Sequence, residues 1–217
     1  MSLDLDDLVQ RTIFYQKQWE PYLSEFFIKN INNKDVYYDI GCNVGYYSLL
    51  ALKLGCEVYS FDPDPNNISV LKKNIRINGF TKIKTFQFGL GESNTVKTFY
   101  RANIANNGIS GFNKINSTAE LQSKIFTLDH LVYKENLAKP TIIKIDTEGW
   151  EEKILLGASK LLTKNPPRII VFESEQLEEK SLNNFDNINI LLKVYNYKIS
   201  ETIIDDYGVN HIAILDL

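Results

Sequence analysis

Tyr37-Tyr38-Asp39-Ile40-Gly41-Cys42-Asn43-Val44-Gly45-Tyr46-Tyr47-Ser48 is the stretch that decides the fold. The apolar run from Val36 to Ile40 predicts a short buried strand. It closes on an acid and two glycines, and a helical pattern follows from Tyr46 to about Leu54. Strand, glycine turn and helix in that order open a doubly wound α/β domain. Gly41 permits a tight turn, and Gly45 permits close backbone approach at the helix start. A helix beginning there points free N–H groups at whatever lies above the strand. Asp39 ends the strand as an acceptor for a cationic group. An amino-acid-bearing nucleotide suits this pair of features: the N–H groups take its carboxylate and Asp39 its ammonium.

Dinucleotide enzymes place glycines as G-x-G-x-x-G in such a turn. Counted from Gly41, that pattern needs glycine at 43 and 46, where this chain has Asn43 and Tyr46. A nicotinamide-dependent oxidoreductase is therefore disfavoured. The pattern D-x-G-x-N-x-G instead resembles motif I of class I S-adenosylmethionine (SAM) methyltransferases, and the central Asn narrows the resemblance to the FkbM family. A tight turn with no ligand accounts for the same glycines, so the rest of the chain has to decide.

Glu57 to Asp62 reads as a second parallel strand. Asp62 falls at its C-terminal end, about 20 residues beyond the glycine turn, where an acid meets ribose hydroxyls in α/β nucleotide sites. One carboxylate can accept from both hydroxyls. Asp64 with Pro65 starts a helix that ends at Asn78-Gly79. N-capping is the alternative role for Asp62. Lys82 to Phe88 alternates as a third strand, followed by the turn Gly89-Leu90-Gly91-Glu92. By the family pattern this turn lies against the adenine, with Leu90 on the ring and Glu92 near its exocyclic amine. Solvation is the alternative for Glu92.

Thr95 to Arg101 reads as an extra strand. Ala102 to Ser123 is rich in Asn, Gly and Ser and reads as a long loop, either a substrate lid or a segment without function. Thr127-Leu128-Asp129-His130-Leu131 gives a T-L-D-x-L segment that also resembles the FkbM family. His130 could act as a base, although a lone His beside leucines is more often structural. In Thr141-Ile142-Ile143-Lys144-Ile145-Asp146-Thr147-Glu148-Gly149-Trp150-Glu151, a fourth core strand ends at Asp146 and a helix opens at Glu148. K-I-D-x-E-G-x-E is the second FkbM hallmark. Capping by Asp146 and dipole compensation by Glu148 explain one acid better than two. Arg168 to Phe172 is the fifth strand, with Glu173-Ser174-Glu175 at its end. Leu177 to Tyr195 is mostly helical, with a polar interruption around Asn183 to Asn189. Tyr197 to Ile204 and His211 to Leu215 form a hairpin about Asp205-Asp206-Tyr207-Gly208.

The resemblance covers about Val36 to Glu175. It implies a Rossmann-like class I methyltransferase fold: a mostly parallel seven-stranded sheet with a C-terminal antiparallel hairpin. Residues 1–35 form an N-terminal helical cap and residues 36–217 the SAM-binding domain, as one folding unit. The cap consists of one helix from Leu3 to about Gln18, with Leu5, Leu8, Val9, Thr12 and Ile13 as its stripe, and a second from Tyr22 to Ile31 with Leu23, Phe26 and Phe27 inward. Implied SAM contacts are Asp39, Gly41, Cys42, Asn43, Gly45, Asp62, Pro63, Leu90, Glu92 and Asp146. The implied reaction is O-methylation of a hydroxyl on a sugar or other small metabolite, with Asp146, Glu148 and Glu173 as candidate bases. Clustered carboxylates raise one another's pKa. A divalent cation held by them is another way to acidify a hydroxyl, but the sequence shows only ordinary strand-end acids, and no metal is assigned. A non-catalytic domain that binds SAM or a partner is the alternative from another class, and the acids at every strand end argue against it.

Composition sets outer bounds. The chain has 217 residues, 44% apolar and 24% charged, with a net charge of −3, which fits one soluble domain. The charge argues against broad binding to a nucleic-acid backbone. No apolar run approaches the ~20 residues of a membrane span, and the acidic start, Met1 to Asp7, lacks a signal peptide's basic region. A cytoplasmic location is the resulting expectation. The two cysteines, Cys42 and Cys56, have no metal spacing, and Cys42 reads as a small residue beside a ligand in preference to a reactive thiol. The acceptor's identity and the oligomeric state are not legible.

Overall fold

A computed structural model describes residues 1–102, 110–114, 117–174, 179–206 and 208–216, with the side chains of 179–184 left aside. Two helices, α1 (Leu8–Gln16) and α2 (Pro21–Asn30), precede the sheet. Then come β1 (Val36–Ile40), α3 (Tyr46–Lys53), β2 (Glu57–Phe61), α4 (Pro65–Asn78), β3 (Ile83–Phe86), β4 (Gly89–Leu90), β5 (Thr95–Arg101) and β6 (Ala119–Phe126). The chain continues through α5 (Leu128–Tyr133), β7 (Ile142–Ile145), α6 (Glu151–Leu156), α7 (Ser159–Lys164), β8 (Ile169–Ser174), α8 (Glu179–Val194), β9 (Tyr197–Ile204) and β10 (Val209–Leu215).

The main sheet has seven strands in the order β3-β2-β1-β7-β8-β10-β9. Five strands run parallel, and the β9–β10 hairpin closes one edge antiparallel. β1 is central because it can be buried on both faces, as parallel strands covered by helices require. Tyr37 packs toward α2 and α3 with Leu23, Phe27 and Leu52, while Tyr38 faces the opposite layer with Leu128, Ile154 and Leu161. The chain leaves β1 toward β2 on one side and returns through β7 on the other. That reversal opens a crevice at the strands' carboxyl ends.

Gly41 could not be another residue, because its φ is +79° and an added Cβ would lie 1.8 Å from the Asp146 carbonyl oxygen. Gly45, at φ +91°, would drive a Cβ into Leu71 of α4. These glycines are thus required by the packing of the turn itself, whatever binds above it.

Several boundaries differ from the sequence reading. The third strand stops at Phe86, and Gly89–Leu90 joins a separate three-stranded sheet, order β4-β6-β5. β6 begins at Ala119, inside the stretch read as a loop, because its alternating residues pair antiparallel with all of β5. The residues of that loop at 103–109 and 115–116 lie outside the described residues, as do Glu175 and Tyr207. α6 starts at Glu151, since Glu148 (φ 54°) and Gly149 (φ 84°) are left-handed and hold a turn before it. α8 runs unbroken through the expected polar interruption. α1 begins at Leu8, where Asp7 caps it by accepting from the Gln10 amide. Leu5 and Leu8 are exposed, so the expected stripe is only partly inward.

Candidate active site

The carboxyl ends of β1, β2, β7 and β8 open into a cavity of about 250 Å³. Its floor comprises Asp39, the turn from Gly41 to Tyr46, Asp62-Pro63, Lys144, Asp146 to Glu148, and Glu173. Its walls come from elsewhere in the chain: Leu8, Val9, Trp19 and Glu20 before the sheet, Phe99 and Ser110 to Phe112 from the small sheet, and Asp206 from the hairpin turn. The described part of the 102–123 segment next to the cavity is docked. Gly111 bridges to Tyr100, and Phe112 packs between Phe99 and Trp150.

Asp39 is buried and accepts from Ser48 Oγ at 2.5 Å, and that hydroxyl lies 2.7 Å from Ser60 Oγ. Burial raises its pKa, and Lys144 opposes the rise. Asp62 is 5% exposed. Its carboxylate accepts from the Asn43 and Asp64 amides at 2.9 and 2.8 Å and from Asn67 Nδ2 at 3.1 Å. Burial pushes its pKa up to about 7 against those bonds. Asp62 therefore both shapes the glycine turn and faces the cavity. Asp64 caps α4 through the Asn66 amide and also binds Arg101 in two bonds of 2.6 Å.

The second half of the site is an ion network. Lys144 is a single lysine in the otherwise apolar strand β7, 2% exposed. Its Nζ lies 2.6 Å from Asp146 Oδ2 and 4.7 Å from the centre of the Tyr47 ring. Burial would lower its pKa, but Asp146, Glu20 and Asp39 raise it further and keep it charged. Burial likewise favours neutral Asp146, yet Lys144 outweighs it and holds that carboxyl below its ordinary range. Glu173 is the reverse case. Burial and the adjacent Asp146 raise its pKa well above normal, so it keeps a proton and shares it with Asp146. Asp146, Glu148 and Glu173 bring one carboxylate oxygen each within 4.8 Å of one another. That grouping can share a proton or hold a divalent cation, and it consists of the same three acids that the sequence reading sets together as candidate bases.

Glu20 joins this network from the start of α2. It is 3% exposed and accepts from Tyr47 Oη and Asn210 Nδ2, both at 2.7 Å. Burial raises its pKa while Lys144 lowers it. Neither Glu20 nor Asn210 carries a local sequence signal. Lys144 did, because a lysine inside an Ile-rich buried strand demands a partner.

Of the residues named from sequence, Asp39, Gly41, Cys42, Asn43, Asp62, Pro63, Asp146, Glu148 and Glu173 line one cavity. Gly45 lies in the same turn, as the N-cap of α3. Leu90 and Glu92 do not join them. Leu90 is a core residue whose carbonyl accepts from Trp150 Nε1 at 3.1 Å, because β4 peels into the small sheet. Glu92 points outward and pairs with Lys153 at 3.3 Å. His130 is also elsewhere, stacked on Phe126 and 3.3 Å from Glu135. Burial pushes the Cys42 thiol's pKa well up, and the residue lines the cavity.

This strand order, with acids ending its parallel strands around a glycine turn, defines a class I SAM-methyltransferase fold. Within that class the chain matches the FkbM methyltransferase domain over residues 39–199, and it belongs to that family. It is 27% identical over 135 residues to the hexuronic acid methyltransferase AglP of Haloferax volcanii, a match covering 62% of this chain and 54% of AglP. The chain thus corresponds to about half the length of that relative. Methyltransferase 1 of Beauveria bassiana is 24% identical over 174 residues, 70% of this chain and 66% of that protein. Among solved structures, the ribosomal protein L11 methylase of Lactobacillus delbrueckii subsp. bulgaricus superposes with a TM-score of 0.55 at 12% identity, covering 91% of this chain and 79% of that one. The latter likeness is one of fold alone. Among the described residues, no helix is long and apolar enough to cross a membrane.

Proposed function

We propose that this chain is a SAM-dependent O-methyltransferase acting on a hydroxyl of a sugar or small metabolite. The observation that carries the reading is the grouping, beside the glycine turn, of Asp146, Glu148 and Glu173 with one carboxylate oxygen each within 4.8 Å of one another, and with Lys144 2.6 Å from Asp146. The donor set fits the cofactor. Seven carboxylates line the cavity with Lys144 as the one cationic side chain among the described residues, which suits a ligand bearing a sulfonium and an ammonium. Asp39 is placed for the ammonium and the first-turn amides of α3 for the amino-acid carboxylate. Asp62 is placed for the ribose hydroxyls. The relationship to AglP supports a sugar acceptor.

SAM supplies an activated methyl group, so the protein's task is chiefly to position the acceptor. The acceptor hydroxyl has to lose a proton, and its acidity rises as the new bond to oxygen forms. A carboxylate of ordinary or low pKa is then a sufficient base. Asp146 Oδ takes that proton. Lys144 keeps Asp146 ionised beforehand, and Glu173 orients it through the shared hydrogen bond. Trp19, Phe99 and Phe112 narrow the cavity against water.

The test is calorimetric titration with S-adenosylhomocysteine, with NAD as control, followed by the same titration on Asp146→Asn. Saturable binding of the homocysteine compound alone is expected. The variant should keep its affinity within about three-fold while any methyl transfer falls by about 100-fold or more. Binding of NAD, or equal turnover in the variant, refutes the reading.

A further inference from the structure

We infer that the acceptor is a neutral or amino-bearing sugar and not a uronic acid or a phosphorylated one; this rests on the methyltransferase reading above. The argument is electrostatic. Glu20, Asp146, Glu148, Glu173 and Asp206 all line the cavity; Asp206 is exposed, Glu20 is buried, and the other three are half-buried. The sole lining cation among the described residues is Lys144, and it is sealed beneath Asp146, which it contacts at 2.6 Å. It has no free face to offer an anionic substrate. Arg101, a basic residue on the neighbouring small sheet, is committed to Asp64 by two bonds. Residues 103–109, 115–116 and 207 contain no Lys, Arg or His in the sequence, and 175–184 carry three acids, Glu175, Glu178 and Glu179, against one cation, Lys180.

An enzyme that accepts a sugar carboxylate or phosphate needs a cation to meet it, commonly an arginine in bidentate contact. Here the charged groups an anion would meet are acids, with only neutral donors such as Asn43, Ser110 and Thr147 beside them. With Glu173 protonated and the positive charge of the cofactor added, the carboxylates still outnumber the cations. Sugar hydroxyls and ammonium groups, in contrast, are donors, and ionised carboxylates are pure acceptors. Trp19 and Phe112 add apolar lining to the cavity. The same fold can thus diverge from a hexuronic-acid-specific relative by the charge of its acceptor pocket.

The experiment uses the full chain with radiolabelled SAM. The acceptors are matched methyl glycosides of glucose, galactose and mannose, each with its 2-amino and 6-carboxyl counterparts, assayed with EDTA and with added Mg2+. Calorimetry with S-adenosylhomocysteine is run on the same sample. The expected result is kcat/KM for a neutral or amino glycoside about 10-fold or more above its 6-carboxyl partner, the factor that one unmatched like charge produces at a partly solvated site. Asp206→Lys should narrow that ratio several-fold by placing a cation at the mouth. Uronate turnover equal to or above that of the neutral partner, in either metal condition, overturns the inference. Cofactor binding with no transfer to any glycoside overturns the sugar assignment and leaves the methyltransferase reading standing. Failure to bind S-adenosylhomocysteine instead overturns the reading underneath.

Discussion

Lys144→Met is the sharpest perturbation the structure offers. The methionine preserves much of the stem's volume and removes only the charge. At an effective dielectric of ~20, unit charges separated by the observed 2.6 Å attract by about 6 kcal/mol. The lysine's own desolvation cost disappears with it, which offsets part of that figure. Asp146 keeps 29% side-chain exposure toward the cavity, and water there offsets more. What remains is at the lower end of the ~3–5 kcal/mol expected when a buried pair loses one partner. The sign of the pH dependence follows. In the wild type Lys144 has a raised pKa, so its contribution is fully present below the unfolded lysine value and is lost only in strong alkali. In the variant, Asp146, Asp39 and Glu20 lose their counter-ion and take up protons at higher pH than unfolded carboxylates do. Their protonated forms are favoured by folding, so stability should fall as pH rises from about 4 toward 8. Urea unfolding at pH 5 and pH 8 is the assay. The destabilisation relative to wild type should be about 3 kcal/mol at pH 8 and clearly smaller at pH 5. A deficit that is equal at both pH values, or below about 1 kcal/mol at pH 8, would refute the view that Lys144 holds these carboxylates ionised.

Asp62 is raised to about 7 by burial, so its stabilising proton is fully in place below the unfolded carboxyl value and is lost as pH rises through about 7. Asp62→Asn should therefore flatten the stability profile between pH 5 and 8 in thermal unfolding. The wild type's affinity for S-adenosylhomocysteine should drop as pH falls from 8 to 6, because ribose hydroxyls need the ionised acceptor; the variant should bind about 10-fold more weakly and without that slope, and an unchanged affinity rules out the ribose role. Trp150→Phe removes the donor to the Leu90 carbonyl and leaves a buried acceptor unpaired, an expected loss of ~1–3 kcal/mol in chemical unfolding. A loss below 0.5 kcal/mol would show that the bond does not anchor β4.

The sheet was legible because its strands announce themselves individually. Val36–Ile40, Ile142–Ile145 and Ile169–Ser174 are apolar runs that end in acids, and burial on both faces forces that composition. The strand-end residues Asp39, Asp62 and Asp146 were legible for the same reason, since position on a strand fixes position at the crevice. Leu90 and Glu92 were misplaced because the turn holding them belongs to a second sheet, whose pairing of β4 with β6 spans more than thirty residues and leaves no local pattern. β6 was taken for loop because polar residues alternate on its exposed face and resemble loop composition. Glu20 and Asn210 lie 190 residues apart, so only the folded chain reveals that one completes the other.

That last contact bears on how the site is held. Asn210 reaches Glu20, Glu20 accepts from Tyr47, Tyr47 presents its ring to Lys144, and Lys144 binds Asp146. The series runs from the C-terminal hairpin through the start of α2 and α3 to the end of β7. Packing alone gives no reason to bury these groups, because an apolar set of the same volume would fill the space with no desolvation cost. Glu20 also accepts a left-handed backbone, φ 43°, that a non-glycine residue adopts only under constraint. Both costs fall at the same point, directly behind the carboxylate assigned as base. A scaffold needs neither of them, whereas a base that must stay ionised and correctly aimed needs both a counter-charge and a rigid anchor for it. On the proposed reading, the placement of buried charge in this chain answers to the chemistry at Asp146 and not to the stability of the fold.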